Sequence, residues 1–479
     1  VKMLKKLVAV GMTAVMCFGL AGCGGEKEVS GVPTLRWLVP GDTQSDLQTV
    51  LDAANEIVEK EIGAKINIEF IDEGAFTEKV KLMMAGGNDF DMTFTGYVNN
   101  YKTAVDNGGL LEITDMIDKV EGLREAIPDY AWEAAKIRGK IYAVPNVQIM
   151  AMANSAIVFD DIAAKYNFNF DNVNHIDDLE PYFEMVKNGE SGIFPYRPNY
   201  GVLQWTTNYD TPASMIALPK GSKSADDLVY LYDTPEWNHG VEQLWNWYQK
   251  GYIRTDALSI GDDTADYKNG KYAVANEVWK PGVEIEAKAL LGGRDVTFIP
   301  IEKPYMTKGR CTATMIGIGA KCKNPEKALQ FIKLINTNKE LYNIITLGVE
   351  GKHYEMQDGK AHLIDGSGYT NNGAGWKFGC VYNTFLVEGQ DDDIWEQTEK
   401  VNNESEKSTL LGFSFDNSKV KSQISNIATV VSEYNQLDRG VQNPAEYIDT
   451  FKAKLKEAGI SDVYNEVKVQ LEEYFKSQE

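Results

Sequence analysis

The chain has 479 residues, a formal net charge of −22, and 43% hydrophobic and 11% aromatic residues. A surface this acidic repels nucleic acid and anionic lipid, which excludes both as partners of the protein's body. The length allows two or three domains of roughly 150 residues each, with apolar content enough for a core in each.

Residues 7–20 form an uncharged apolar run behind Lys2, Lys5 and Lys6, closed by Leu20, Ala21, Gly22 and Cys23. The run is shorter than the roughly 20 residues a membrane span takes, and it lacks the polar face of a surface helix. Basic residues before it and small residues after it predict a secretory signal over 1–22. The string LAGC resembles the lipobox of bacterial lipoproteins. That resemblance implies cleavage before Cys23, acylation of its sulfur and a polar tether over 23–32. Two or three acyl chains on one residue meet the two-signal requirement for stable anchoring. The expectation is a body held at the extracellular face of the membrane, or on the periplasmic side in a host with an outer membrane. No later stretch is apolar enough for a membrane helix.

Next, TLRWLV (34–39), KINIEFI (65–71) and DMTFTG (91–96) read as strands, with helical spacing over 47–62 and 76–85 between them. A β-α-β-α-β order predicts a parallel sheet with helices on its faces. Ligands bind at the carboxyl ends of such strands, which nominates the loops at 41–42, 73–76 and 96–101. GKIYAVPNVQIM (139–150) is strand-like, and Pro145 confines it to an edge or a crossing. The pattern then loosens into Asn/Asp-rich loops (154–178) and a Gly/Pro/aromatic region (189–219). Val241, Leu244, Trp245 and Tyr248 give the stripe of a helix over 236–250. A strand at 296–301 and TATMIGIGA (312–320) follow. Asn324 and Pro325 open a helix, and three more are predicted near 417–437, 444–458 and 461–476.

Beyond the signal and Cys23, Cys311, Cys322 and Cys380 cannot all pair, so no disulfide framework is implied. The four histidines stand in no metal-ligand spacing with Cys, and no cofactor is expected. Asp262 to Asp266 partly resembles a calcium loop, yet Gly is missing at its sixth place and a carboxylate at its twelfth. It and Asp391–Asp393 read as solvated acidic loops.

The strings GGLLEITDMI (108–117), GKIYAVPNVQ (139–148), WNWYQKGYIRTDA (245–257), YKNGKYAVANEVWKPG (267–282) and IGAKCKNPEKALQFIKLI (318–335) resemble, in this order, the extracellular solute-binding proteins of ABC importers. The likeness is to the maltose-binding-protein-like group, and GVEGKHYEMQDGK (348–360) resembles a carbohydrate-binding branch from Gram-positive bacteria. The resemblance implies a two-lobe α/β fold of the periplasmic-binding-protein type, with about three crossings near 147–153, 311–316 and 373–380. It places one lobe at 33–148 plus 316–374 and the other at 149–315 plus 375–479. It implies a monomeric receptor that closes on a carbohydrate, most simply an oligosaccharide, and hands it to an ABC permease. A tether would keep the receptor concentrated near that permease.

A sugar site needs aromatic plates for C–H faces and polar side chains for hydroxyls. Trp279 before the Pro-Gly turn, Trp376 beside the glycine-rich third crossing, and Trp205 in an irregular region are the aromatic candidates. Asp42, Tyr97 with Asn99 or Asn100, and Gln148 are the others, while Trp37 and Trp245 read as core. No GxSxG, HExxH or GxxxxGK[ST] motif is present, which argues against an enzyme. Two other readings stay open: a receptor for peptides or another non-sugar solute, and a secreted glycosidase using a carboxylate pair.

Overall fold

The computed structural model describes residues 31–87, 90–257, 263–370 and 374–479. The expected signal at 1–22, the lipidation site Cys23, the tether up to residue 30, Asp262 and Gly373 lie outside the described residues.

Strand Thr34–Pro40 pairs in parallel with Lys65–Ile71 on one edge and Met92–Gly96 on the other. Helices Leu47–Ile62 and Glu73–Gly86 make the two crossovers. The first ends at Gly63, whose left-handed φ of 62° is one that a residue without Cβ adopts at no steric cost. Thr314–Ile318 lies antiparallel to Met92–Gly96, and Ala143–Pro145 closes the sheet. Pro145 is thus on an edge strand, where its missing N–H breaks no ladder.

The second sheet is built around Ala151–Phe159, which pairs antiparallel with Tyr272–Trp279, Val296–Pro300 and Tyr305–Met306. This strand overrides the expected loop at its position. Its first six residues, AMANSA, have little β-propensity, but six of the strand's last seven residues are buried, from Ala153 and Ser155 through Phe159. Packing on both faces decides its conformation.

Two large cores result, with smaller clusters around Phe76 and Phe94 and around Tyr354. Trp37, fully buried as expected, meets Phe331 and Phe378 edge-on at centroid distances of 5.5 and 5.6 Å. Met306, Cys311, Phe378 and Cys380 belong to that same core. Residues of the second and third crossings therefore pack on the core of the first lobe. The second core takes Trp205, Trp237, Val241, Leu244 and Trp247 together. Helix Pro235–Gln249 buries Trp247, whereas Trp245 is half-exposed and stacks on Tyr248. The predicted stripe was out of phase: the spacing runs 237, 241, 244, 247 rather than through 245 and 248. Helices Pro444–Glu457 and Ile460–Lys476 complete this lobe.

The acidic run is not a free loop. Asp263 takes a bidentate Arg197 and the Tyr272 hydroxyl, and Asp266 takes Arg254 and Lys271. Asp391–Asp393 is exposed as expected. Cys311, Cys322 and Cys380 are free thiols. Among the described residues no group of side chains has metal-holding geometry, and no helix is long and apolar enough to cross a membrane.

Candidate functional site

The carboxyl ends of the three parallel strands converge on one side chain from the third crossing. Lys377 is 8% exposed and its Nζ donates to the carbonyl of Pro40 (3.1 Å) and to Glu73 Oε2 (3.2 Å). Glu73 opens the helix after the second strand, next to Asp72, whose carboxylate caps that helix by accepting from Ala75 N–H. Glu73 Oε1 accepts from the Tyr97 hydroxyl at 2.9 Å. Burial, and then the Glu73 carboxylate, push the Tyr97 phenol far above its ordinary value. Tyr97 meets the Trp376 ring at 5.7 Å and 61°. The three loops nominated by topology are thus tied by a Lys-Glu-Tyr chain and faced by an aromatic pair. Sequence reasoning missed Glu73 and Lys377 as members of the site. Their signal was weak: one acidic residue at a strand-to-helix turn, and a lysine directly after a nominated tryptophan.

On the second lobe, strand Tyr272–Trp279 runs antiparallel to the strand that leaves the first crossing, with Trp279 opposite Ala153. Its carboxyl end therefore lies at the junction of the lobes. Glu277 and Trp279 share one face of that strand by period-two alternation, and both are half-buried. Burial raises the Glu277 carboxyl above its ordinary range, against the opposing pull of Arg197 and a hydrogen bond with Tyr200. Burial and the Glu277 charge push Tyr200 up to about 12. Arg310, directly before the second crossing, donates to the carbonyls of Met152 and Tyr305. Tyr200, Glu277, Arg197 and Arg310 form a mixed-charge cluster that the sequence did not single out, because its members lie on three separate segments.

Two recesses open between the lobes. One of about 690 Å³ has Gly96, Tyr97 and Asn100 on one wall, Asp210 and Thr211 on the other, and Thr312 of the second crossing between them. The other, of about 130 Å³, is bounded by Gln148, Trp376, Tyr342, Lys280, Glu286 and Trp395. The two recesses are neighbours across the Tyr97–Trp376 contact, since each ring lines a different one. Gln148 donates to Thr314 Oγ1 at 2.6 Å, linking the first crossing to the strand after the second. Trp395, another residue sequence reasoning passed over, has its indole N–H buried without a partner among the described residues.

Of the nominated residues, Tyr97, Gln148 and Trp376 line these recesses, and Trp279 stands directly before Lys280 at the rim of the smaller one. Asp42 is exposed at the end of the first strand and lines neither recess. Asn99 is corrected to a turn residue: it is buried at φ 51°, its carbonyl accepts from Thr95 Oγ1, and its side chain turns back to Phe94. Its neighbour Asn100 lines the larger recess while capping the next helix. Trp205 is corrected to a core residue. It is 3% exposed, packs on Trp247 at 5.5 Å and donates its N–H to Asp177 at 3.0 Å.

A family model described as bacterial extracellular solute-binding protein matches residues 52–348, and a domain of unknown function matches 409–476. The chain is 27% identical to a carbohydrate ABC transporter substrate-binding protein of Streptococcus pneumoniae serotype 4, over 98% of this chain and 97% of that one. It is similar in structure to the N-glycan transport solute binding protein NgtS of Streptococcus pneumoniae, with a TM-score of 0.82 and 24% identity, covering 93% of this chain and all of that one. Against the complex of NgtS with Man5GlcNAc the TM-score is 0.68 at 26% identity, covering 93% and 99% of the two chains.

Proposed function

The chain belongs to the bacterial extracellular solute-binding proteins, and from that premise we propose that it is a receptor that captures an oligosaccharide between its lobes for delivery to an ABC permease. The observation that carries this reading is the pair of neighbouring recesses at the lobe junction. In this reading Tyr97, Trp376 and Trp395 from the recess walls serve as plates, with Trp279 beside Lys280, and Gln148, Asn100, Lys280 and Glu286 serve as hydroxyl partners. Flat apolar faces beside fixed donors and acceptors are what a sugar's C–H faces and hydroxyls require. The names of the relatives, a carbohydrate substrate-binding protein and an N-glycan transport protein, point to the same ligand class.

The lobes in this reading are 33–148 plus 316–374 and 149–315 plus 375–479, with the crossing residues shared at their margins. The receptor acts as a monomer on the extracellular side, anchored through a lipid on Cys23, and it has no catalytic step. Titration calorimetry against mannose- and N-acetylglucosamine-containing oligosaccharides, peptides and amino acids tests the ligand class. Binding to a glycan without products supports the receptor. Binding only to peptides, or release of cleaved sugar, overturns it. Trp376→Ala is expected to weaken glycan binding at least tenfold, since losing a desolvated aromatic contact exceeds about 1.4 kcal/mol.

A further inference from the structure

One buried asparagine holds the first crossing in the way a neighbouring strand would. Between strand Ala143–Pro145 of the first sheet and Ala151–Phe159 of the second, the chain has to change sheets, and its peptide groups lose their ladder partners. Asn402 is fully buried, and its Oδ1 accepts from the N–H of Met150 (2.7 Å) and of Ala151 (3.0 Å). Its Nδ2 donates to the carbonyl of Gln148 (2.7 Å) and to the Tyr382 hydroxyl (3.0 Å). Two backbone donors can face only the amide oxygen, which fixes the orientation of the side chain. A side-chain amide has the donor and acceptor of a peptide group, so Asn402 substitutes for the missing strand.

The helix that carries it, Ile394–Glu404, buries Ile394, Thr398 and Asn402 at intervals of four residues, on one face. The same face meets the smaller recess, which Ile394, Trp395 and Thr398 line together with Gln148 and Ile149. A rigid helix therefore touches the recess at one end and grips the crossing at the other, two turns away.

We propose that Asn402 is a positioning residue that couples occupancy of the recess to the geometry of the first crossing, and so sets how readily the lobes close. This rests on the receptor reading for the identity of the occupant, though not for the mechanical coupling. A ligand drawing on Trp395 and Thr398 moves the helix, and Asn402 carries the movement into the backbone at 148–151. Such a device acts only if the two ends share one rigid element. Val147 is also held by the Val381 N–H, the Gln148 side chain by Thr314 Oγ1, and Ala151 by its pairing with Met306. Among the described residues, though, Asn402 alone bonds the peptide groups of Gln148, Met150 and Ala151 together.

Asn402→Asp keeps the acceptor and removes the donor to Gln148, and Leu455→Ala is the control. Leu455 is fully buried in the far helix Pro444–Glu457, so its truncation lowers stability without touching the crossing. Small-angle scattering, with and without Man5GlcNAc, and stopped-flow tryptophan fluorescence are measured on wild type and both variants. Asn402→Asp is expected to raise the radius of gyration of the unliganded particle and to speed glycan dissociation about tenfold, the size of one lost buried hydrogen bond. Leu455→Ala is expected to lower the melting temperature and leave both readouts at the wild-type value. If Asn402→Asp leaves the unliganded radius unchanged, or shifts the readouts no further than Leu455→Ala does, the coupling is refuted. A wild type that fails to contract with glycan refutes the receptor reading instead, and the unliganded comparison still decides the role of Asn402.

Discussion

At the scale of single residues, the site depends on a buried ammonium. Lys377 has one carboxylate partner, Glu73, and one main-chain carbonyl, Pro40, and its chain runs beneath the Trp376 ring with Nζ 5.2 Å from the centroid. Lys377→Met keeps the stem and deletes the charge, leaving the buried Pro40 carbonyl without that donor, while the half-exposed Glu73 keeps Tyr97 and solvent. Since orphaning a buried polar group costs about 1–3 kcal/mol, this variant is expected to unfold at lower temperature and to bind glycan more weakly, both readable in one thermal-shift titration.

A second residue-scale prediction concerns pH. The Asp177 carboxylate meets His239 Nε2 at 2.7 Å, His175 Nδ1 at 3.2 Å and the Trp205 N–H. Burial opposes ionisation of Asp177, yet the bonds from His175 and His239 hold it below its ordinary value. The hydrogen bond to Asp177 lifts His175 above its own, with burial opposing. The His175 contribution is full below its ordinary value near 6.5 and fades as pH rises through the raised one. That of Asp177 is present above about 3.8 and fades as pH falls through the lowered value. Asp177→Asn, which can still accept from Trp205, should therefore lower the melting temperature more at pH 5 than at pH 8.5. Equal losses at both would contradict the pairing.

At the scale of elements, helix Pro235–Gln249 shows how sequence periodicity can be right about an element and wrong about its phase. Two tryptophans two residues apart both fit an apolar stripe, and only the packing of Trp205 and Phe183 against Trp247 selects between them. Trp247→Ala is expected to cost about 3–5 kcal/mol, as a large buried aromatic does, and Trp245→Ala well under half of that. Chemical denaturation measures both.

The parallel sheet of the first lobe was legible because alternation, helical spacing and a Gly C-cap agreed at every step. Ala151–Phe159 was not, because tertiary burial overrides poor local propensity there. In the site, topology marked the three loops that Lys377 ties together, and Tyr97, Gln148 and Trp376 lie where those loops and the crossings meet. Trp205 and Asn99 went the other way: an aromatic in an irregular region can be core, and an Asn at a strand end can be a left-handed turn. Glu277, Arg310 and Asn402 carried no local signal, since each acts through partners far along the chain.

At the scale of the whole molecule, each lobe has its own large core, so in the receptor reading the lobes close on a ligand while each core stays intact. A ligand that bridges them stabilises the folded state by about 2.7 kcal/mol at a hundredfold excess over Kd. Thermal unfolding should shift upward in step with ligand concentration, and the shift should fall when either Trp279 or Trp376 is truncated. The most direct measurement is titration calorimetry of the intact protein with Man5GlcNAc, followed by chromatography of the recovered sugar. The account predicts saturable one-to-one binding, micromolar or tighter, with the glycan recovered unchanged. Absence of binding to that and every other oligosaccharide offered, or recovery of shortened glycan, would contradict it.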